Sequence, residues 1–213
     1  MGLKTGILGG TFNPVHHGHV ELGQKILETF SLDRVLYMLS ANPPHKNHQN
    51  VVDQDLRWRM LTLALNEHQG LEPCDIEMKR RGFSYTIQTI RELKALYPED
   101  EFYFISGSEG FLKIRTWKNY KELLRAVSFI VVLRKEEHRA MIEQLTAEES
   151  VPLLTRPTDN SSEIGVGIFS YESPRLTISS TLVRNRLKNG GDIDGLVDGK
   201  VKKVIEEYRL YGD

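Results

Sequence analysis

Four short runs leave this chain little choice of architecture. "TGILGG" (5–10), "RVLYMLS" (34–40), "EFYFISG" (101–107) and "SFIVVL" (128–133) are apolar almost without interruption. A strand with one wet face alternates polar and apolar residues. A strand covered on both faces does not, and that is the habit of parallel strands flanked by helices. Between the runs lie amphipathic stretches. In "HVELGQKILETF" (19–30), Val20, Gly23, Ile26, Leu27 and Phe30 share one helical face. "DLRWRMLTLALNEH" (55–68) does the same with Leu56, Met60, Leu63 and Ala64, and "SYTIQTIRELKALY" (84–97) with Ile87, Ile90, Leu93 and Tyr97, Ser84 being a candidate N-cap. "GVGIFSY" (165–171) reads as a further strand, and helices are expected near 179–189 and 197–209, parted by "NGGD". Pro43-Pro44 makes "ANPPHKNHQN" (41–50) a loop, and "TRPTDNSSE" (155–163) is the best candidate for a mobile one.

This alternation predicts an α/β fold: a doubly wound, mostly parallel sheet with helices on both faces and helices closing the chain. No repeat or internal linker divides the 213 residues, so a single domain over 1–213 is expected. Ligands of such sheets sit beyond the carboxyl ends of the strands, near the point where strand order reverses.

A net charge of −1 lacks the basic surplus that a general grip on nucleic acid requires. No segment resembles a membrane span, signal peptide or lipidation signal, and Met1-Gly2-Leu3-Lys4 leads straight into the first strand. The single cysteine, Cys74, rules out an internal disulfide framework and reads as a small buried hydrophobe, so the cytoplasm is the expected compartment.

The chemistry concentrates in "GILGGTFNPVHHGH" (6–19). Gly9 and Gly10, directly after a strand, allow backbone N–H groups to approach a ligand, although neither a P-loop nor a G-x-G-x-x-G pattern is present. His16 and His19, three apart, share a face at the opening of the first helix, where anions are favoured. Two imidazoles that donate hydrogen bonds and can carry charge suit a polyphosphate. A zinc site lacks the H-E-x-x-H spacing, and simple capping is the plain alternative. His17 should point elsewhere.

A second stretch, "TISSTLVRNRL" (177–187), offers Ser179, Ser180 and Thr181 at a helix start with Arg184 one turn on. No acid occupies that first turn, which leaves it electropositive and open to an anionic ligand. N-capping beside a solvated arginine is the alternative.

"GGTFNPVHHGH" and "ISSTLVR" resemble the two signatures of the nucleotidyltransferase superfamily with the H-x-G-H motif. "PPHK" (43–46), "SYTIQTI" (84–90), "SGSEGFLKIRTWKNY" (106–120) and "VKKVIEEYRLY" extend the resemblance to bacterial nicotinate mononucleotide adenylyltransferases. That resemblance implies a Rossmann-like domain that joins ATP and nicotinate mononucleotide into nicotinate adenine dinucleotide and pyrophosphate, with Mg²⁺ accompanying ATP. It implies His16, His19 and Arg184 as catalytic, and Gly9, Gly10, Thr11, Phe12, Asn13, Ser179, Ser180 and Thr181 as the ATP-binding set. For the mononucleotide it implies His45, Lys46, Thr86, Gly107, Glu109 and Trp117. No protein metal ligand is implied.

The chain departs from the family pattern at Glu109, where Asp is usual, at Leu39-Ser40 in place of Pro-Asn, and at "LRKEE" in place of Arg-Pro-Gly. Nicotinamide mononucleotide or a pantetheine phosphate are the rival acceptors. A non-catalytic nucleotide-binding module and a histidine-ligated metallohydrolase are the rivals of other classes.

Overall fold

The computed structural model describes residues 2–40, 51–80, 82–154, 166–172 and 177–212. Its centre is a seven-stranded sheet: β1 (Lys4–Gly10), β2 (Arg34–Leu39), β3 (Leu71–Cys74), β4 (Glu101–Gly107), β5 (Ser128–Leu133), β6 (Leu153–Leu154) and β7 (Ile168–Glu172). The order across the sheet is β3-β2-β1-β4-β5-β7-β6, and every neighbouring pair is parallel. Connections run one way from β1 to β2 and β3, then return past β1 to β4 and β5. The order therefore reverses between β1 and β4, and their carboxyl ends are where a crevice must open.

The helices among the described residues are α1 (His17–Thr29), α2 (Gln54–Leu65), α3 (Thr86–Leu96), the single turn α4 (Ser108–Phe111), α5 (Tyr120–Ala126), α6 (Glu137–Glu148), α7 (Ser180–Lys188) and α8 (Gly199–Glu207). Alternation along each strand sends neighbours to opposite faces. Leu8, Tyr37, Ile105 and Ile130 pack with Leu22 and Ile26 of α1, Met60 and Leu61 of α2, Val183 of α7 and Val201 of α8. Ile7, Leu36, Phe104 and Phe129 pack instead with Ile87 and Ile90 of α3, Leu123 of α5 and Ile142 of α6. Both faces of the sheet are thus covered, as the uninterrupted apolar runs required.

Some local expectations are corrected. Ser84 does not cap α3: the helix begins at Thr86 after an extended Tyr85, with no side-chain cap. The Ser84 hydroxyl is instead buried without a hydrogen-bond partner among the described residues. The strand expected over 165–171 is β7, starting three residues later. Cys74 is half-buried rather than buried, and its surroundings push its thiol up, chiefly by desolvation. Strand β3 was not anticipated because "LEPC" contains Pro73, which a sheet tolerates at an edge where no ladder donor is needed. The loops expected at 41–50 and 155–163 lie outside the described residues.

Candidate active site

The site grows from the end of β1. After Gly10 the chain turns through Thr11 to Phe12, whose φ of 45° lies in the left-handed region. The Phe12 ring folds back on the strand end so closely that a Cβ on Gly10 would stand 2.8 Å from it. Only glycine permits that approach. Phe12 in turn meets the His19 ring edge-on, with centroids 5.0 Å apart.

His16 is the extended residue before α1, and its ring stacks on that of His19 at 3.6 Å between centroids. The His16 N–H donates to His19 Nδ1 at 3.3 Å. With Nδ1 of His19 accepting, the ring proton of a neutral imidazole resides on Nε2, which is then the donor of this ring. Tyr37 secures the same residue by donating its hydroxyl to the His19 carbonyl at 2.8 Å. His16 is only 6% exposed, and its Nδ1 has no partner among the described residues. Burial, with the charges of His17 and Arg134 adding to it, pushes this imidazole down to about 4. Of the two imidazoles expected to be able to carry charge, His16 is therefore a neutral ring at physiological pH. His17 is exposed and gives its N–H to the Leu196 carbonyl, away from the site.

The second stretch forms the adjoining wall. Ser179 caps α7 by accepting the Leu182 N–H at 3.2 Å, and no acid stands in the first turn. The Ser180 hydroxyl donates to the Pro14 carbonyl at 2.9 Å. Arg184 donates to the Asn13 carbonyl at 2.7 Å and to the Thr181 hydroxyl at 3.3 Å. Two stretches some 170 residues apart in sequence are thereby stapled into one surface.

Beside it, at the carboxyl ends of β1 and β4, lies a cavity of about 700 Å³. Gly9, Gly10, Thr11, Phe12 and His19 line one side of it. Thr86, Gly107 and Trp117 line the other, so the structure brings members of both groups of expected residues to one hollow. Trp117 follows the 3-10 turn Ile114–Thr116 and meets Phe104 edge-on at 5.9 Å, half-buried. Asn13 and His16 are buried and lie outside the lining. Ser179, Ser180, Thr181 and Arg184 stand beside the cavity rather than in its lining. Glu109 is exposed on α4, also outside the lining. His45 and Lys46 lie outside the described residues. Among the described residues no group of three or more His, Cys, Asp or Glu is placed to hold a metal ion.

Several participants escaped the sequence reading. Arg57, 2% exposed, donates to the carbonyls of Thr11 and Ser40 at 2.9 Å and of Val52 at 2.8 Å, bracing the glycine turn from below. Lys118 and Arg134 add two cations to the cavity lining. The signal for Lys118 was its place next to Trp117, and for Arg134 its place directly after β5. Glu77, buried in the same lining, accepts the Thr89 hydroxyl at 2.8 Å, and desolvation raises its pKa.

The cytidylyltransferase-like family profile matches residues 7–186, which contain every element just described except α8 and the ends of β1 and α7. This chain belongs to the cytidylyltransferase-like family. Among curated members, a protein of Geobacter sulfurreducens named "Probable nicotinate-nucleotide adenylyltransferase" is 36% identical over 98% of both chains. One of Geotalea daltonii with the same name is 34% identical over 99% of both. Among solved structures, the cytidylyltransferase-like fold seen here superposes on the nicotinic acid mononucleotide adenylyltransferase of Plasmodium falciparum complexed with NaAD. The TM-score is 0.72 at 20% identity, covering 98% of this chain and 97% of that one.

Proposed function

We propose that this chain is a nicotinate-nucleotide adenylyltransferase, transferring the adenylyl group of ATP to nicotinate mononucleotide with release of pyrophosphate, a step of NAD biosynthesis. The observation that carries the reading is the junction of the two signatures. The stacked His16–His19 pair and the α7 start are fastened to one turn, beside a cavity large enough for a second substrate.

The acceptor phosphate is already an anion, so one of its oxygens can attack the α-phosphorus of ATP without a general base. The new O–P bond forms as the bond to the bridging oxygen of pyrophosphate breaks, and that electron pair leaves with pyrophosphate. Positioning and charge stabilisation are what the protein must supply. In this reading Gly9, Gly10, Thr11 and Phe12 offer backbone contacts, and Asn13 holds the turn. His19 donates from Nε2, while His16 donates as a neutral ring. Ser179, Ser180 and Thr181 receive the polyphosphate at the start of α7, and Arg184 supplies the cation for the departing group.

The donor set here consists of imidazoles, hydroxyls, amides and a guanidinium, which bind phosphate oxygens rather than a hard cation. Mg²⁺ fits as the counterion of ATP, ligated by phosphate and water, and there it would neutralise part of the triphosphate charge. On the acceptor side, Trp117 stacks on the pyridine ring, and Thr86 presents its hydroxyl at the α3 start to the nicotinate carboxylate. Gly107 and Glu109 take the ribose side, and the resemblance adds His45 and Lys46 to the mononucleotide-binding set. The Glu77 carboxylate does not argue for the amide, since its oxygens are engaged by Thr89 and Ser40.

We further read the chain as one domain over 1–213, working in the cytoplasm on small molecules. No helix among the described residues is long and apolar enough to cross a membrane. The test is direct. Purified protein is given ATP, Mg²⁺ and a panel of phosphate acceptors, and pyrophosphate is measured. Release that depends on nicotinate mononucleotide is the expected result. Release with only another acceptor, or none, would overturn the proposal.

A further inference from the structure

Four segments meet at Asn13. Its carbonyl accepts from Arg184 at 2.7 Å, while its side-chain Oδ1 accepts the Val52 N–H at 3.2 Å and the Tyr211 hydroxyl at 2.9 Å. Tyr211 comes from the turn after α8, 198 residues along the chain. Its ring packs on the core shared by α1, α2 and α8, and its hydroxyl is directed up at the catalytic turn. The approach uses left-handed backbone at Arg209 (φ 48°) and at Tyr211 itself (φ 64°). Bulky residues adopt that region at a cost, and it persists only where surrounding contacts hold it.

The hydroxyl has a second set of neighbours. Burial pushes the phenol pKa well up, and the guanidiniums of Arg184 and Arg57 oppose that push, so both cations lie within electrostatic reach of the oxygen. An O–H has one proton and two lone pairs. Giving the proton to Asn13 leaves the lone pairs for the side where the arginines stand. Packing alone would need the ring and not the oxygen.

We propose that Tyr211 is a positioning residue for adenylyl transfer: by holding the Asn13 side chain it fixes the Asn13 carbonyl that orients Arg184, and so aims that guanidinium at the departing pyrophosphate. This rests on the adenylyltransferase reading above. The Tyr211 hydroxyl touches no reacting atom and acts only through its two neighbours.

Tyr211→Phe keeps the ring and removes one oxygen. Tyr208→Phe is the control, an exposed tyrosine on the same turn bonded to Arg59. Tyr211→Phe should lower kcat about tenfold, with the mononucleotide KM within about twofold and Tm within about 3 °C. Tyr208→Phe should leave kcat unchanged. In an Arg184→Lys background the same loss of oxygen should cost less than about threefold, because the route through Arg184 is already broken. A single variant within twofold of wild type overturns the proposal, and so does a full tenfold cost in the Arg184→Lys background. A wild type that transfers no adenylyl group overturns the activity reading along with it. An active wild type with an unaffected Tyr211→Phe overturns the proposal alone.

Discussion

Gly18 separates the two site histidines, and the packing around it says why a side chain there should slow the chemistry more than it harms the fold. A Cβ built on Gly18 would stand 3.1 Å from His16 Nδ1, 3.3 Å from His16 Cε1 and 3.3 Å from the Ile178 carbonyl oxygen. Ordinary contact lies at 3.4–4 Å. Something must therefore move by roughly 0.3–0.5 Å to restore normal contact. The His16 ring cannot simply retreat, because it is stacked on His19 at 3.6 Å. Ile178 cannot either without shifting Ser179, the cap of α7. The displacement falls on one of the two groups proposed to hold the triphosphate.

Misplacement by 1 Å costs on the order of a hundredfold in rate. Scaled logarithmically, 0.3–0.5 Å predicts a four- to tenfold loss of kcat for Gly18→Ala, about 1 kcal/mol of transition-state stabilisation. Stability answers to different terms. Alanine gains up to about 1 kcal/mol over glycine within a helix, while overpacking costs about 1–3 kcal/mol. The net loss is roughly 0–2 kcal/mol, a fall in Tm of at most about 8 °C for a chain of this size. The assay is pyrophosphate release at saturating ATP and mononucleotide, with thermal unfolding measured in parallel. Gly18→Ala retaining wild-type kcat would refute the reasoning, since the added carbon would then have been absorbed without disturbing either wall.

Further outcomes follow from the same geometry. His19→Ala should lower kcat by about a hundredfold or more, the scale of one lost donor to developing charge, with folding nearly intact; retention of a third of the activity removes His19 from the catalytic set. Arg184→Lys should rescue little of the Arg184→Ala loss, because one ammonium cannot reach both the Asn13 carbonyl and a phosphate as a guanidinium can; comparable kcat in Arg184→Lys and wild type would count against it. His16, held at about 4 against an unfolded value of 6.5, takes up its proton mainly in the unfolded chain, so its contribution to stability is intact above pH 6.5 and is lost as pH falls to about 4. Between pH 7.5 and 4.5 the wild type should lose about 2–3 kcal/mol more unfolding free energy than His16→Asn, measured by denaturant titration; equal losses would mean the ring is not shielded. Nicotinate mononucleotide should be preferred over the amide by at least about tenfold in kcat/KM, and Thr86→Ala or Lys118→Gln should narrow that ratio by weakening the acid alone; an unchanged ratio in both would place discrimination on other groups.

What could be read in advance was whatever local pattern determines. The β1, β2, β4 and β5 runs announce a sheet covered on both faces because hydrophobicity without alternation has few other uses in strands. The glycine turn, the histidine pair and the α7 start were legible for a similar reason, each being a short stretch whose residue types have a purpose at a helix opening. Features that depend on tertiary partners were not. Arg57 looks like a solvated arginine until Thr11, Ser40 and Val52 supply carbonyls from two other segments. The protonation state of His16 depends on burial, which sequence does not state. Ser84 looked like a cap because serine before a helical pattern usually is one, yet the extended Tyr85 intervenes. Helix α6 was missed because its buried residues, His138, Ile142, Leu145 and Thr146, include two polar side chains that blur the apolar stripe.

The carbonyls of the turn after β1 show how these hidden partners serve the visible ones. Thr11, Asn13 and Pro14 give their oxygens to Arg57, Arg184 and Ser180 respectively. A trans peptide is planar, with its C=O and N–H pointing in opposite directions. Drawing the Thr11 oxygen down to buried Arg57 therefore turns the Phe12 N–H to the side away from it, where Thr11 and Phe12 border the cavity. The charge of Arg57 is spent on carbonyls rather than on substrate, and its effect is to convert a turn with two kinds of polar group into one that presents donors. Arg184 does the same for the Asn13 carbonyl with one nitrogen and meets the Thr181 hydroxyl with another, and in the proposed reading its remaining N–H groups serve the ligand. In the proposed reading, a site for a polyanion is made less by adding cations, of which this nearly neutral chain has no surplus, than by tying the Thr11, Asn13 and Pro14 carbonyls to donors from other segments.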